Sequence, residues 1–296
     1  MTQFSDTVLV IAMVCYIIAF ALHSAEWGFA RGLAAERASD GSEDAKRINV
    51  DLYGRLGVAA TVVAVAANIV GVVARGIAAG RAPWGNMYEF VTAAMAFLSV
   101  LYLLCVWLWR GRWLGLGVTG LCALMMGLAI TSFYVEVAPL MPALHSVWFI
   151  IHIVAAVLAA AAFNVAGVAS VLYLVRSRAE RKGEITGYLA KVPTSRRLDL
   201  FAHRVTAFAF PIWTFTIVAG AIWAQYAWGR FWNWDPKETW SFITWVFYAG
   251  YLHAALTAGW RGTRAAVLAL IGLATFWFNF VGVNLLFSGL HSYSGI

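Results

Sequence analysis

Apolar stretches of roughly 20 residues follow one another along the 296-residue chain, separated by short polar or aromatic segments. A helix rises 1.5 Å per residue, so about 20 residues cross a hydrocarbon layer of about 30 Å. The pattern predicts about eight such spans, at 7–30, 54–76, 87–109, 113–132, 147–175, 204–226, 241–259 and 265–287. Backbone polar groups in lipid must be satisfied within the segment itself, which makes these runs helices and the fold class an all-α, polytopic membrane protein. The first run, MTQFSDTVLVIAMVCYIIAFALHSAEWGFA, has no basic start and no cleavage site, and reads as a retained first span.

Composition agrees with the pattern. The chain is 62% hydrophobic and 12% charged, with mean hydropathy +0.77, whereas soluble domains carry about a quarter charged residues. The charges that remain are placed unevenly. Segments 31–55, 110–112, 176–204 and 260–264 hold 17 of the 21 Lys and Arg, leaving Arg75, Arg81, Arg230 and Lys237. By the positive-inside rule those four segments are cytoplasmic, so both termini and the loop 228–240 are expected on the extracytoplasmic side of a cytoplasmic membrane. The net charge of +7 is then used in orientation, and nucleic acid is not implied as a partner. Segment 34–47 reads as a flexible loop or short surface helix and 176–197 as a basic connector near anionic lipid. No repeat or soluble insert interrupts the pattern, so residues 1–296 read as a single integral membrane domain. Cys15, Cys105 and Cys122 all fall in apolar runs, away from any C-x-x-C or Cys/His spacing, which argues against thiol exchange and a sulfur-held metal.

One segment departs from this monotony. WGRFWNWDPKETW, 228–240, gathers Trp228, Trp232, Trp234 and Trp240 around Asp-Pro-Lys-Glu. Asp235, Pro236 and Glu238 suit a helix N-cap, first position and third position, so the acids read first as the start of span seven. Capping leaves the tryptophans unexplained. They suit either an interfacial aromatic belt or a bed for a large flat apolar ligand.

The six histidines sort by depth. His152 lies about five residues into span five, roughly 8 Å below the outer end, and His291 follows span eight on the outside. Two histidines from different segments beside an aromatic platform are what bis-imidazole haem ligation needs. His253 falls about 12 residues into span seven, roughly 18 Å deep, where an ionisable side chain is costly and therefore a functional candidate. His23 has a similar depth in span one and is a candidate partner for His253. His145, seven residues before His152, is a weaker substitute for it. His203, beside Arg204, fits cap or interface chemistry.

These motifs resemble a known family. W-G-x-x-W-x-W-D-x-x-E is similar to the tryptophan-rich WWD signature of haem-handling proteins. LDLFAHRVTAFAFPIWTFTIVAGAIWAQ, ITWVFYAGYLH, NLLFSGLHSY, PALHSVWFIIHI and PWGNMYEF at 83–90 resemble the CcsA (ResC) branch, often called CcsB in actinobacteria. The similarity covers roughly 80–296. It implies haem b as the cofactor, presented to apocytochrome c (CxxCH) for thioether attachment, with His152 and His291 as outer axial ligands and the 228–240 loop, including Trp228, Trp232, Trp234, Asp235 and Trp240, as the cradle. It implies a membrane-embedded haem site at His253, completed by a ResB/Ccs1-like subunit, the pair forming a cytochrome c synthase. A thiol-reducing thioredoxin-like protein is a further implied partner, and no catalytic acid or base is assigned. Two other readings remain open: a bis-histidine redox cytochrome, and an exporter of another flat hydrophobic compound.

Overall fold

The computed structural model describes residues 1–30, 41–257 and 259–291. Among the described residues it is helical throughout, with no strand. The helices are α1 (Thr2–Ala30), α2 (Gly41–Ala79), α3 (Met87–Trp109), α4 (Gly115–Ser132), α5 (Val147–Lys182), α6 (Ser195–Trp228), α7 (Pro236–Thr257) and α8 (Thr263–Leu286). Single-turn helices at Gly111–Leu114, Pro142–Leu144 and Gly187–Ala190 tighten three connections. Seven helices are long and apolar enough to cross a membrane; α7, with 22 residues, is the more polar eighth. It nevertheless runs the full height of the bundle. Its first residues meet the end of α8 through Asp235 and His291, and just past its far end the Gly262 N–H donates to Asp199 near the start of α6. The chain thus alternates up and down eight times, with Ser5 and His291 at the same end as the 228–240 loop.

Packing between helices in lipid draws on close approach more than on apolar burial, because the surrounding tails are equally apolar. The sequence supplies small residues where helices meet. Ser5 donates to the Gly71 carbonyl at 2.9 Å, and a Cβ on Gly71 would lie 2.6 Å from Leu9. Helix α5 is the centre of the bundle, its alanine-rich stretch 155–169 largely buried against α3, α6 and α8. Asn164 within it accepts from the Trp277 indole at 3.0 Å, fixing α8 against α5.

Helix ends are set by local chemistry. Asn86 caps α3 by accepting from the Glu89 N–H at 2.9 Å, and Ser146 caps α5. Gly183 and Gly229 end α5 and α6 in the left-handed conformation, φ 71° and 73°, which glycine adopts without strain. The basic connector expected at 176–197 is mostly helical: α5 continues to Lys182 and α6 begins at Ser195. Glu180 explains the difference, accepting from Arg176 at 2.9 Å and from both the backbone and hydroxyl of Ser195, so it ties the two helix ends together. Of the segment 34–47, residues 34–40 lie outside those described and 41–47 begin α2.

Two buried polar networks sit at opposite ends of the bundle. At the loop end, Glu89 is held by Arg75 at 3.2 Å and Arg81 at 2.7 Å, and Arg75 also reaches Asp6 and the Val135 carbonyl. At the other end, His23 Nδ1 meets Glu26 at 3.2 Å and Nε2 meets the Tyr102 hydroxyl at 3.3 Å. Arg112 binds Glu26 at 3.0 Å and Asp51 at 2.8 Å. Gly57 and Gly115 press on the His23 ring so closely that a Cβ on either would come within 2.8 Å and 2.5 Å of it.

Candidate functional site: a histidine-lined cleft at the loop end

A cleft opens between α5, α6, α7 and α8 beside the 228–240 loop, closed on its remaining side by Trp84–Phe90 at the start of α3. Its wall is mainly aromatic and aliphatic, with Trp84, Phe90, Phe149, Trp213, Trp223, Phe231 and Trp232 contributing flat surface. His152 and His291 both face it, 139 positions apart in sequence and on different structural elements.

Both imidazoles are oriented by an acceptor on the same nitrogen. His152 Nδ1 lies 2.9 Å from the Thr216 carbonyl oxygen, which can only accept, so Nδ1 carries the proton. His291 Nδ1 lies 2.9 Å from Asp235 Oδ1, which imposes the same tautomer. In the neutral form of each ring the lone pair is on Nε2. A histidine whose second nitrogen donates to a carbonyl or carboxylate is the arrangement that metal-ligating histidines use. Gly220 lets α6 approach this closely, since a Cβ there would stand 2.8 Å from His152 Nδ1.

Trp223 stands between the two histidines. Its ring is 5.9 Å from His152, nearly parallel, and 5.6 Å from His291, edge-on. Its N–H donates to the Ala143 carbonyl at 2.8 Å, which fixes the indole to the segment before α5. Trp228 packs edge-on to His291 at 4.8 Å.

Asp235 carries two duties. It caps α7 by accepting from the Lys237 N–H at 3.1 Å, while Glu238 accepts from the Asp235 N–H at 3.1 Å, a reciprocal capping box. The same carboxylate accepts from the Leu290 N–H and holds His291. Burial opposes its ionisation, but His291, by hydrogen bond and charge, and the Leu290 and Lys237 N–H groups outweigh it, pulling the carboxyl down to about 2. Its hold on His291 is therefore in place above the ordinary carboxylate pKa of about 4 and is lost only as pH falls through about 2. Trp234, immediately before it, takes a left-handed φ of 58°, uncommon for a non-glycine residue and part of the turn that aims Asp235.

The remaining residues singled out by sequence spread over several positions. Trp232 lines the cleft; Trp234 is 63% exposed and packs on Trp232 and Phe242; Trp240 lies against Phe278 at 4.2 Å. His145 is exposed, its ring against the Leu140 carbonyl, and does not line the cleft. His253 is exposed on the surface of α7, whereas His23 is enclosed with both nitrogens engaged. Those two do not share a site. His203 meets the Tyr251 hydroxyl at 3.3 Å. Residues that sequence reasoning did not single out are Trp223, Thr216, Gly220 and Lys237. Gly220 and Trp223 stand one helical turn apart inside an apolar run, where neither residue type calls for a functional explanation.

Fold and cleft together define a multi-pass helical membrane protein with a paired-imidazole pocket at one end. The family model described as cytochrome C assembly protein matches residues 84–291, from the Trp84 wall of the cleft to His291. CcsA of Synechococcus sp. (strain JA-3-3Ab), a cytochrome c biogenesis protein, is 32% identical over 299 aligned positions, covering 82% of this chain and 87% of that one. CcsA of Chlamydomonas reinhardtii is 36% identical over 222, covering 72% of this chain but 61% of the algal protein. The chain belongs to the cytochrome c assembly protein family, in its CcsA branch. In architecture it is similar to the solved cytochrome c haem lyase CcmF, with TM-score 0.60 at 17% identity, over 95% of this chain and 46% of CcmF.

Proposed function

We propose that the cleft holds haem b at the extracytoplasmic face of the cytoplasmic membrane, His152 and His291 supplying the axial nitrogens, and presents it to apocytochrome c for thioether attachment. What carries this reading is the matched pair of tautomers: two histidines from separate segments face one cleft, each with Nδ1 engaged and Nε2 available. The chemistry of the site fits the group: His152 and His291 would each offer a neutral imidazole nitrogen to the iron, and the indole and phenyl walls would shelter an apolar macrocycle. When bound, haem brings the vinyl groups that the CxxCH thiols of the apocytochrome add to. This chain's residues ligate, orient and bury it, and supply no acid or base.

The basic character of the opposite end supports placing the cleft, the loop and both termini outside. His253, exposed on α7 in the body of the bundle, suits a second, membrane-level haem stop whose other ligand comes from a ResB/Ccs1-like subunit, the two chains forming a cytochrome c synthase. A thioredoxin-like protein that keeps the substrate thiols reduced completes the set of partners. The test is spectral and functional together. Co-purified with the ResB-like subunit, the chain should show a bis-imidazole Soret signature that disappears in His152→Ala and His291→Ala, along with covalent cytochrome c. An unchanged outer-site spectrum in either variant would refute the assignment.

A further inference from the structure

Lys237 occupies the first turn of α7, and its side chain lines the histidine cleft. Its ammonium donates to the backbone oxygens of Asn279 at 3.1 Å and Phe280 at 3.5 Å. Those carbonyls belong to the π-helical turn 278–282 of α8, where a widened register loosens the usual backbone ladder, a feature frequent at functional sites. Both oxygens are neutral. Among the described residues no carboxylate stands within ion-pair distance of this ammonium, and Asp235 is already committed to His291 and two N–H groups. A sheltered cation with no anion is costly unless something supplies the missing charge.

A second observation points the same way. Asn279 is 8% exposed and lines the cleft, yet its side-chain oxygen has no hydrogen-bond partner. Which end of such an amide faces the cavity is set by its partner, so it can turn its N–H2 toward an acceptor. Asn284 lies one turn further on and also lines the cleft.

We infer that Lys237, seconded by Asn279, is the anchor for a carboxylate arm of the cleft's ligand, so that the site selects a flat macrocycle with acidic side arms over an uncharged analogue of the same shape. The inference rests on the histidine pair holding such a ligand, and it adds a cationic address to a wall that is mainly aromatic and aliphatic.

The experiment compares haem b with its dimethyl ester, titrated into the full-length chain with its co-purifying subunit and followed by Soret absorbance. The unsubstituted protein should prefer the free acid by roughly tenfold to a hundredfold, as hydrogen bonds to charged groups are worth. Lys237→Met should bind both forms alike while keeping the imidazole-ligated spectrum, and Lys237→Arg should restore the preference. A preference that survives in Lys237→Met, or is absent from the unsubstituted protein, overturns the anchor and leaves the histidine assignment standing. Failure of the unsubstituted protein to give an imidazole-ligated spectrum with either form overturns the site itself and the anchor with it.

Discussion

His23 and the pair His152 and His291 are all sheltered histidines with acceptors on Nδ1, yet they sit in opposite circumstances. Both ring nitrogens of His23 are engaged: Glu26 takes one, Tyr102 the other, and two glycines pack tightly on the ring. Around the loop-end pair, one nitrogen of each ring is held and the other is left facing a cleft. The lesson is that burial alone does not mark a ligand-binding histidine. What separates a structural imidazole from a ligating one is whether its hydrogen-bonding capacity is used up or half spent.

That contrast can be broken most decisively at the pair itself. Replacing His152 or His291 with alanine should lower haem affinity by more than the roughly 10–100-fold that outer-shell partners are worth, as read by Soret titration, while the unfolding temperature in detergent moves little. The inner network should give the reverse. Glu26→Ala leaves His23 Nδ1 without its acceptor in a buried site and Arg112 with Asp51 alone, and should cost about 1–3 kcal/mol of stability, the range for an unsatisfied buried polar group. Thermal melts would detect it, and the folded fraction should keep its Soret maximum.

Finer substitutions sharpen the comparison. Asp235→Asn keeps a good helix cap, since Asn serves as well as Asp there, but deprives His291 of its charged acceptor. Haem affinity should fall by about 10–100-fold without loss of helical content, which circular dichroism and titration measured on one sample would separate. The smallest effect is expected at Gly220→Ala, whose added methyl would press on His152 Nδ1. Overpacking of about 1–3 kcal/mol, divided between folding and ligation, should appear as a modest affinity loss and a shifted ligand-field spectrum. The same change at Gly57, against His23, should touch stability alone.

Much of the fold was legible because lipid allows so few solutions. A run of about 20 apolar residues has to be a helix, and helices lie where all eight runs were found, seven of them long and apolar enough to cross a membrane. The ends were harder. Helices α5 and α6 reach into a basic, polar connector because Glu180 and Ser195 meet across it, a contact between positions 15 apart that no local pattern announces. The site was legible in part. The Asp-Pro-x-Glu start of α7 declares its cap locally, but the second duty of Asp235 depends on His291, 56 residues away. The four tryptophans of the loop look alike in sequence, whereas Trp232 lines the cleft and Trp234 is turned outward. Trp223 was hidden in an apolar run in which an aromatic residue needs no explanation. Lys237 was visible only as one of four basic residues away from the basic end.

The shared carboxylate of Asp235 makes one mechanical unit of what look like two parts. The first turn of α7 and the seat of His291 hang from the same two oxygen atoms, so a tilt of that helix cannot leave the imidazole where it was. A push on the exposed flank of α7, where His253 lies, would thereby reach the far rim of the pocket through a lever about one helix long.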